Sequence, residues 1–390
     1  MAQKTNEVAV SSFSPKFWSN PDLSNPGPKH MYFNNPNQEK SGSQSQLFVR
    51  LRSLLAVGTI CVSLNTRSET FDLQQLTPVE NFRYSVDLST RFLHDSFPNK
   101  SGFQNAVGFD AYTKITSAER DWATIVIQLY GMRLDGHPRP APFYEGEDDW
   151  ELMPRINTMN IHLLPDRSLN LKIGHYEIPY GLEVPINSNG TIRQLNHGPN
   201  LGVKVDYGVG LNGTLKHFQY DFGISRGAGV EFDLDTDAYI FAGRIGTVTD
   251  RESFYGINSV GLSVFHMESD NSGGNTLRRQ RVGLDGQYYL GPFGAMGEFS
   301  VGHDSDRFLV NSLAELNVVN RKETLLFYLQ YRHRSIDRPA AWDRFANIGA
   351  GIRWAPDNHW ALSAQIDRTV EHFGSLPEST LAQLQLRYRF

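Results

Sequence analysis

The chain has 390 residues, a formal net charge of −5 and one cysteine, Cys61. That charge gives no basis for a nucleic-acid partner, and a lone thiol excludes an intrachain disulfide. No run of eighteen apolar residues occurs, which excludes a transmembrane helix. A polar average does not exclude a transmembrane β-barrel, whose lumen-facing residues offset its lipid-facing ones.

Residues 1–46 are rich in Ser, Asn, Pro and Lys (SSFSPKFWSNPDLSNPGPKH) and read as a disordered or mis-assigned extension. Residues 47–68 have the order of a secretory signal. In RLRSLLAVGTICVSL a basic end precedes an apolar stretch, and polar NTRSE follows. The other reading of this stretch is a buried strand or short helix of a soluble protein. The signal reading puts the true start near Leu47 to Val49 and leaves residues 69–81 as a periplasmic linker. Ile60 is too bulky for Cys61 to serve as a lipoprotein anchor.

From Phe82 onward a period of two recurs. FRYSVDLSTRF sets Phe82, Tyr84, Val86, Leu88 and Phe92 against Arg83, Ser85, Asp87, Ser89 and Arg91. LGVKVDYGVGL sets Leu201, Val203, Val205, Tyr207, Val209 and Leu211 against Gly202, Lys204 and Asp206. Each such stretch is a strand with one apolar and one polar face. Sixteen strands are expected, near 82–93, 102–116, 121–133, 155–164, 168–177, 200–213, 216–226 and 238–248, then near 256–268, 279–290, 293–303, 308–319, 322–333, 344–355, 358–370 and 380–390. The stretches at 121–133 and 256–268 alternate least cleanly. The last strand, TLAQLQLRYRF, alternates strictly to Phe390, as expected where a strand is paired on both sides in a closed barrel.

Short and long links alternate between these strands. SAER, PDR, LGPF, VNRK and APDN are short, whereas 134–154, 178–199, 227–237, 269–277, 334–343 and 371–379 are long. The exceptions are 303–307, which is brief, and 248–255, which stretches. That asymmetry suits a transmembrane antiparallel β-barrel with periplasmic turns on one rim and extracellular loops on the other. Aromatics near strand ends (Tyr331, Trp354, Trp360, Tyr388, Phe390) match the girdles of such a barrel. A soluble stack of β-sandwiches is the plainer alternative.

With the apolar faces on lipid, the inward cations are Arg83, Arg91, Lys114, Lys172, Lys204, Arg244, Arg281, Arg332, Arg353, Arg387 and Arg389. The inward acids are Asp87, Asp110, Asp206, Asp221, Asp285, Glu298, Glu315 and Asp367, while EGEDDWE at 145–151 and DLDTD at 233–237 place acids in loops. An excess of Arg and Lys along a water-filled lumen favours anions. The plainer reading of any one of these residues is an Arg–Asp pair stabilising the wall. The link at 178–199, IPYGLEVPINSNGTIRQLNHGP, is long and punctuated by Gly and Pro, so it can fold inward. Glu183, Arg193 and His197 are its constriction candidates, and residues 82–390 are expected to form one barrel channel domain.

GHYEIPYGLE, residues 174–183, resembles a segment of the phosphate-selective porins O and P at the end of a strand and the start of a long loop. The matching positions are Gly174, Tyr176, Pro179, Tyr180, Gly181, Leu182 and Glu183. The resemblance implies a sixteen-stranded trimeric channel of the bacterial outer membrane, with a loop folded into the pore and basic residues along an anion path. Tyr388 and the terminal Phe390 stand where outer-membrane proteins carry their C-terminal assembly signal.

The same sequence carries no enzyme signature. His94, His175, His197, His266, His303, His333 and His372 are scattered, with no diagnostic Ser or Asp spacing, no Gly-x-Ser-x-Gly elbow and no His-Glu-x-x-His. DLDTD lacks the glycine and the distant glutamate of a calcium loop. The sequence therefore predicts a passive channel for small anionic or neutral solutes, with mild anion preference, no cofactor and no metal. Its expected surroundings are outer-membrane lipid and lipopolysaccharide, and its expected assembly is a homotrimer. The alternative is an outer-membrane barrel with a blocked lumen acting as an enzyme or adhesin.

Overall fold

The computed structural model describes residues 82–390 apart from 98, 119, 139–148, 187–190, 231–236, 248–257, 271–275, 340 and 373–377. The N-terminal extension, the signal-like segment and the linker lie outside these residues, as do most of EGEDDWE and DLDTD.

Sixteen antiparallel strands close into one barrel. They are β1 (Arg83–Asp95), β2 (Lys100–Thr116), β3 (Asp121–Asp135), β4 (Glu151–His162), β5 (Asn170–Glu177), β6 (Val205–Thr214), β7 (Phe218–Ser225) and β8 (Tyr239–Thr247). The second half is β9 (Ser259–Asp270), β10 (Thr276–Leu290), β11 (Phe293–Asp304), β12 (Arg307–Val319), β13 (Leu325–Asp337), β14 (Trp342–Trp354), β15 (Trp360–Glu371) and β16 (Thr380–Arg389). Each strand pairs with its neighbours in sequence, and β1 closes on β16 with Leu88 opposite Tyr388, Thr90 opposite Leu386 and Phe92 opposite Leu384. Beyond the last ladder pair, Phe390 N donates to Val86 O at 3.0 Å and Val86 N to Phe390 O at 2.7 Å. No strand is an edge, so the backbone polar groups are satisfied within the sheet, as a membrane interior requires.

The pattern of exposure inverts that of a soluble protein. Leu262, Leu284 and Leu329 are 56, 55 and 59 % exposed, whereas Asp285 and Gln330 are each 2 % exposed. Soluble monomers rarely expose apolar patches beyond a few hundred Å², and here apolar side chains project outward from strands all round the barrel. The outer surface is therefore a lipid-facing band, and the stack of soluble sandwiches is ruled out.

Three departures from the expected strands have local causes. β6 begins at Val205 rather than at residue 200, because His197–Leu201 form a short helix, α1, that ends on Gly202 at φ +76°. Leu201 and Val203 are accordingly buried inside the barrel instead of facing outward. The links expected at 269–277 and 334–343 shrink to 271–275 and 338–341, since β9, β10, β13 and β14 all extend into them. Above the lipid band both strand faces meet water, so ladders continue where the alternation of polarity has faded. In β4, Gln128 is opposite Ile156 and Leu129 opposite Pro154, which leaves Arg155 as the extra residue of a bulge. Proline is tolerated at such a site, and the bulge re-aims the side chain beside it.

Glycines in the wall make room for inward tyrosines. A Cβ at Gly283 would collide with the ring and hydroxyl of Tyr180, which is 0 % exposed. Overpacking of this kind costs about 1–3 kcal/mol. Gly283→Ala is expected to lower the urea midpoint of the detergent-solubilised barrel by a corresponding amount.

Candidate functional site

The chain leaves β5 and turns into the barrel instead of away from it. Ile178, Tyr180, Leu201 and Val203 bury themselves against Ile240, Ala242, Phe265 and Met267 of β8 and β9. Leu182 and Leu195 pack with Met296 and Leu313 of β11 and β12. These wall residues are apolar although they face inward, which explains the poor alternation noted for the 256–268 stretch. β9 has two apolar faces because one meets lipid and the other receives the loop.

Polar groups fix the loop on this apolar bed. Gly181 N donates to Ser263 Oγ at 3.0 Å, and Leu182 N donates to Glu298 Oε2 at 2.9 Å. Arg193 forms a two-pronged pair with Glu315, Nε to Oε2 at 2.8 Å and Nη2 to Oε1. Gln330 Nε2 donates to Gln194 O at 2.9 Å, and Asn200 Nδ2 donates to Ser300 Oγ at 2.9 Å. Lys204 Nζ holds Glu183 at 2.6 Å and lies 3.5 Å from Glu177. From β1, Arg91 Nη2 donates to Thr191 O at 3.2 Å.

The motif at 174–183 is the leading part of this strap. Gly174 has φ +122°, and a Cβ there would meet Asn157 O. Tyr176 bridges two wall carbonyls, donating within 3.1 Å of Val209 O and 3.2 Å of Ile224 O. Pro179, Tyr180, Leu182 and Glu183 are buried, and Gly181 at φ +60° leaves no room for a Cβ beside the Glu298 carboxylate. These residues dock the loop.

His197 lies in α1, 1 % exposed, with Nδ1 3.2 Å from Tyr180 O. Burial pushes its pKa down to about 4, outweighing the attraction of Glu183. The neutral ring is the form that fits, so its contribution to loop docking is complete above about pH 6.5 and is lost as pH falls from 6.5 toward 4. Acidification from pH 7 to 4.5 is expected to increase the current noise of the wild-type channel, and His197→Gln, which cannot take the proton, is expected to reduce that increase.

The expected basic wall points inward but is mostly paired. Eight of its eleven cations contact a carboxylate: Lys114–Asp121, Lys172–Asp221, Lys204–Glu183, Arg244–Asp285, Arg281–Asp304, Arg332–Asp367, Arg387–Asp87 and Arg389–Asp110. Arg244 and Arg281 are 1 and 2 % exposed and lie in the loop-bearing part of the barrel, where their ion pairs brace the wall. Arg281 donates to Asn200 Oδ1 and shares Asp304 with Arg279 and Arg334, two cations absent from the expected set. Arg83 is exposed at the start of β1.

Beside the loop, the described residues line two chambers that share Tyr130. One, of about 180 Å³, is lined by Asp87, Arg91, Arg155 and Lys204 among others. The other, of about 280 Å³, is lined by Asp110, Tyr130, Arg193, Tyr328, Arg353, Arg387 and Arg389 among others. Arg155 stacks 4.8 Å from the Tyr130 ring centre. Strict alternation misses Arg155 because the bulge shifts its phase by one; the Met-Pro-Arg at 153–155 was the available signal.

The chain is a closed barrel with a lipid-facing outer surface and a loop folded onto its charged inner wall. The sequence matches no protein-family model and no curated protein. Solved structures do match in fold. An anion-selective porin from Comamonas acidovorans is 11 % identical with a TM-score of 0.57, over 79 % of this chain and 99 % of that one. OprB of Pseudomonas putida is 10 % identical with a TM-score of 0.60, over 80 % and 94 %. The trimer form of OmpT, an outer membrane protein of Vibrio cholerae, is 10 % identical with a TM-score of 0.57, over 79 % and 99 %. The chain thus has the fold of outer-membrane porins, and its apolar outer band places it in such a membrane.

Proposed function

We propose that this protein is a passive diffusion channel of the bacterial outer membrane with a preference for small anions, and that the loop at 178–204 is its constriction. The observation that carries this reading is the charge around the two chambers. Arg91, Arg155, Arg193, Lys204, Arg353, Arg387 and Arg389 line them, against Asp87 and Asp110. Arg353 has no carboxylate partner among the described residues. Cations that exceed their acids raise the local concentration of anions and repel cations at close range. Transport needs no cofactor and follows the solute gradient. Neutral solutes pass by size alone.

The experiment is a reversal-potential measurement on purified protein in a planar bilayer under a KCl gradient. Wild type is expected to prefer chloride, and Arg353→Glu with Arg389→Glu is expected to swing the preference toward potassium. A cation-selective wild type overturns the anion reading. Protein that inserts without conductance steps returns the blocked-lumen alternative, an enzyme or adhesin.

A homotrimer is proposed on a separate feature of the outer surface. On the lipid-facing side of β1–β3, Thr90 Oγ1 donates to Asn105 Oδ1 at 2.8 Å and Asn105 Nδ2 to Asp135 Oδ2 at 3.0 Å, while Arg133 pairs with Asp135 at 2.7 Å. Arg133 and Asp135 stand at the end of β3, where charge on the outer face is unfavourable by only about 0–1 kcal/mol, and a second copy covering β1–β3 would pair with this polar strip in place of lipid. Lipopolysaccharide and other lipid then contact the remaining apolar band.

A further inference from the structure

The larger chamber, of about 280 Å³, carries both donors and acceptors that the described residues do not use. Three of its four arginines already meet carboxylates: Arg387 on Asp87, Arg389 on Asp110 and Arg193 on Glu315. Arg353 has no carboxylate partner among the described residues. One further negative charge therefore balances these groups; a zwitterion leaves them positive and a dianion overshoots. A planar guanidinium with free donors takes one carboxylate in two-pronged fashion.

The acceptors stand on another part of the wall. Asp110 of β2 and Gln128 of β3 are directly opposite each other in the ladder, and both line the chamber. Asp110 Oδ2 accepts from Arg389, but Asp110 Oδ1 and Gln128 Oε1 have no hydrogen-bond partner among the described residues. Arg389 Nε is a donor in the same condition. Buried polar groups are nearly always hydrogen-bonded, so two neighbouring acceptors and a donor without partners call for a ligand or water to supply them. Acceptors are answered by solute hydroxyls, which an apolar body lacks. Between Arg353 on β14 and Asp110 on β2 lie β15, β16 and β1. Neighbouring strands are about 4.8 Å apart, so an extended solute suits this span better than a compact tetrahedral anion.

We propose that this chamber binds polyhydroxylated monocarboxylates. The carboxylate lies on Arg353, and the hydroxyls donate to Asp110 Oδ1 and Gln128 Oε1 and accept from Arg389 Nε. The assignment rests on the channel reading and names its solute class.

Gluconate and hexanoate are the probes, since they share a six-carbon chain and one negative charge and differ in hydroxyls. Each is titrated into one side of a bilayer holding the purified full-length channel while the chloride current is followed. Half-block by gluconate is expected at a concentration at least tenfold below that for hexanoate or inorganic phosphate. Gln128→Leu, which removes an acceptor and keeps the charge, is expected to weaken gluconate block at least fivefold and to leave hexanoate block unchanged. Arg353→Gln is expected to weaken block by both at least tenfold. Hexanoate or phosphate blocking as well as gluconate, or gluconate block unaltered in either variant, overturns the assignment. Loss of all conductance steps, or cation selectivity in wild type, defeats the channel reading itself. Anion-selective steps without gluconate block defeat only the solute assignment.

Discussion

Arg193→Met is expected to release the loop from the wall and to produce a larger, noisier single-channel conductance. The side chain of Glu315 is 0 % exposed, and without Arg193 its charge keeps, among the described residues, the amides of Asn317 and Gln330, each donating at 2.8 Å. Breaking a buried ion pair by removing one partner typically costs about 3–5 kcal/mol, because a charge is left without compensation in a place water cannot reach. The double variant Arg193→Met with Glu315→Met removes that charge as well and fills both positions with adaptable apolar side chains. It is expected to restore most of the quiet conductance. A single variant as quiet as wild type would show that the apolar bed at Leu182, Leu195, Met296 and Leu313 suffices to hold the loop. Arg193→Glu goes further by setting two carboxylates together, and it is expected to shift selectivity toward cations as well.

The second large effect is on stability. Arg244 donates to Asp285 through Nε at 2.9 Å and Nη2 at 2.6 Å, and both side chains are 1 % exposed. The guanidinium lies over Gly246 and Gly261, where any Cβ would collide with it. Asp285→Ala leaves that charge buried and unpaired and is expected to lower the unfolding free energy by about 3–5 kcal/mol, read from urea unfolding in micelles. Arg244→Met with Asp285→Leu is expected to lie much closer to wild type, since replacing a buried pair by well-packed apolar groups is often neutral. A double variant as unstable as Asp285→Ala would mean that packing around the guanidinium, rather than its charge, is what the site supplies.

Opening the loop and weakening the barrel are separable outcomes. The first pair belongs to a loop lying on the wall, and the second belongs to the wall itself. A loop variant should therefore change conductance more than the unfolding midpoint, because release of the loop lets water reach Glu315 and offsets part of the lost pairing. A wall variant should change the midpoint first.

The sequence by itself determined the number of strands, their order and the face that most strand residues present, with Leu201, Val203 and Arg155 as exceptions. A period of two is a local property, legible in LLFYLQYRHR or TLAQLQLRYRF without knowing any partner, and pairing each strand with the next requires only short turns. It also marked 178–199 as the link able to turn inward, since Gly and Pro there act on the backbone directly. Tertiary structure decided the rest. Whether an inward arginine faces water, meets a carboxylate or lies under a loop depends on strands far apart in sequence, as Arg387 with Asp87 and Arg193 with Glu315 show. Arg155 reaches a chamber because a bulge displaced it, and β9 is apolar on its inner face because a loop from β5 lies there. Alternation reports the direction of a side chain, but the free energy of its charge is set by what stands opposite, and only the closed barrel brings those groups together.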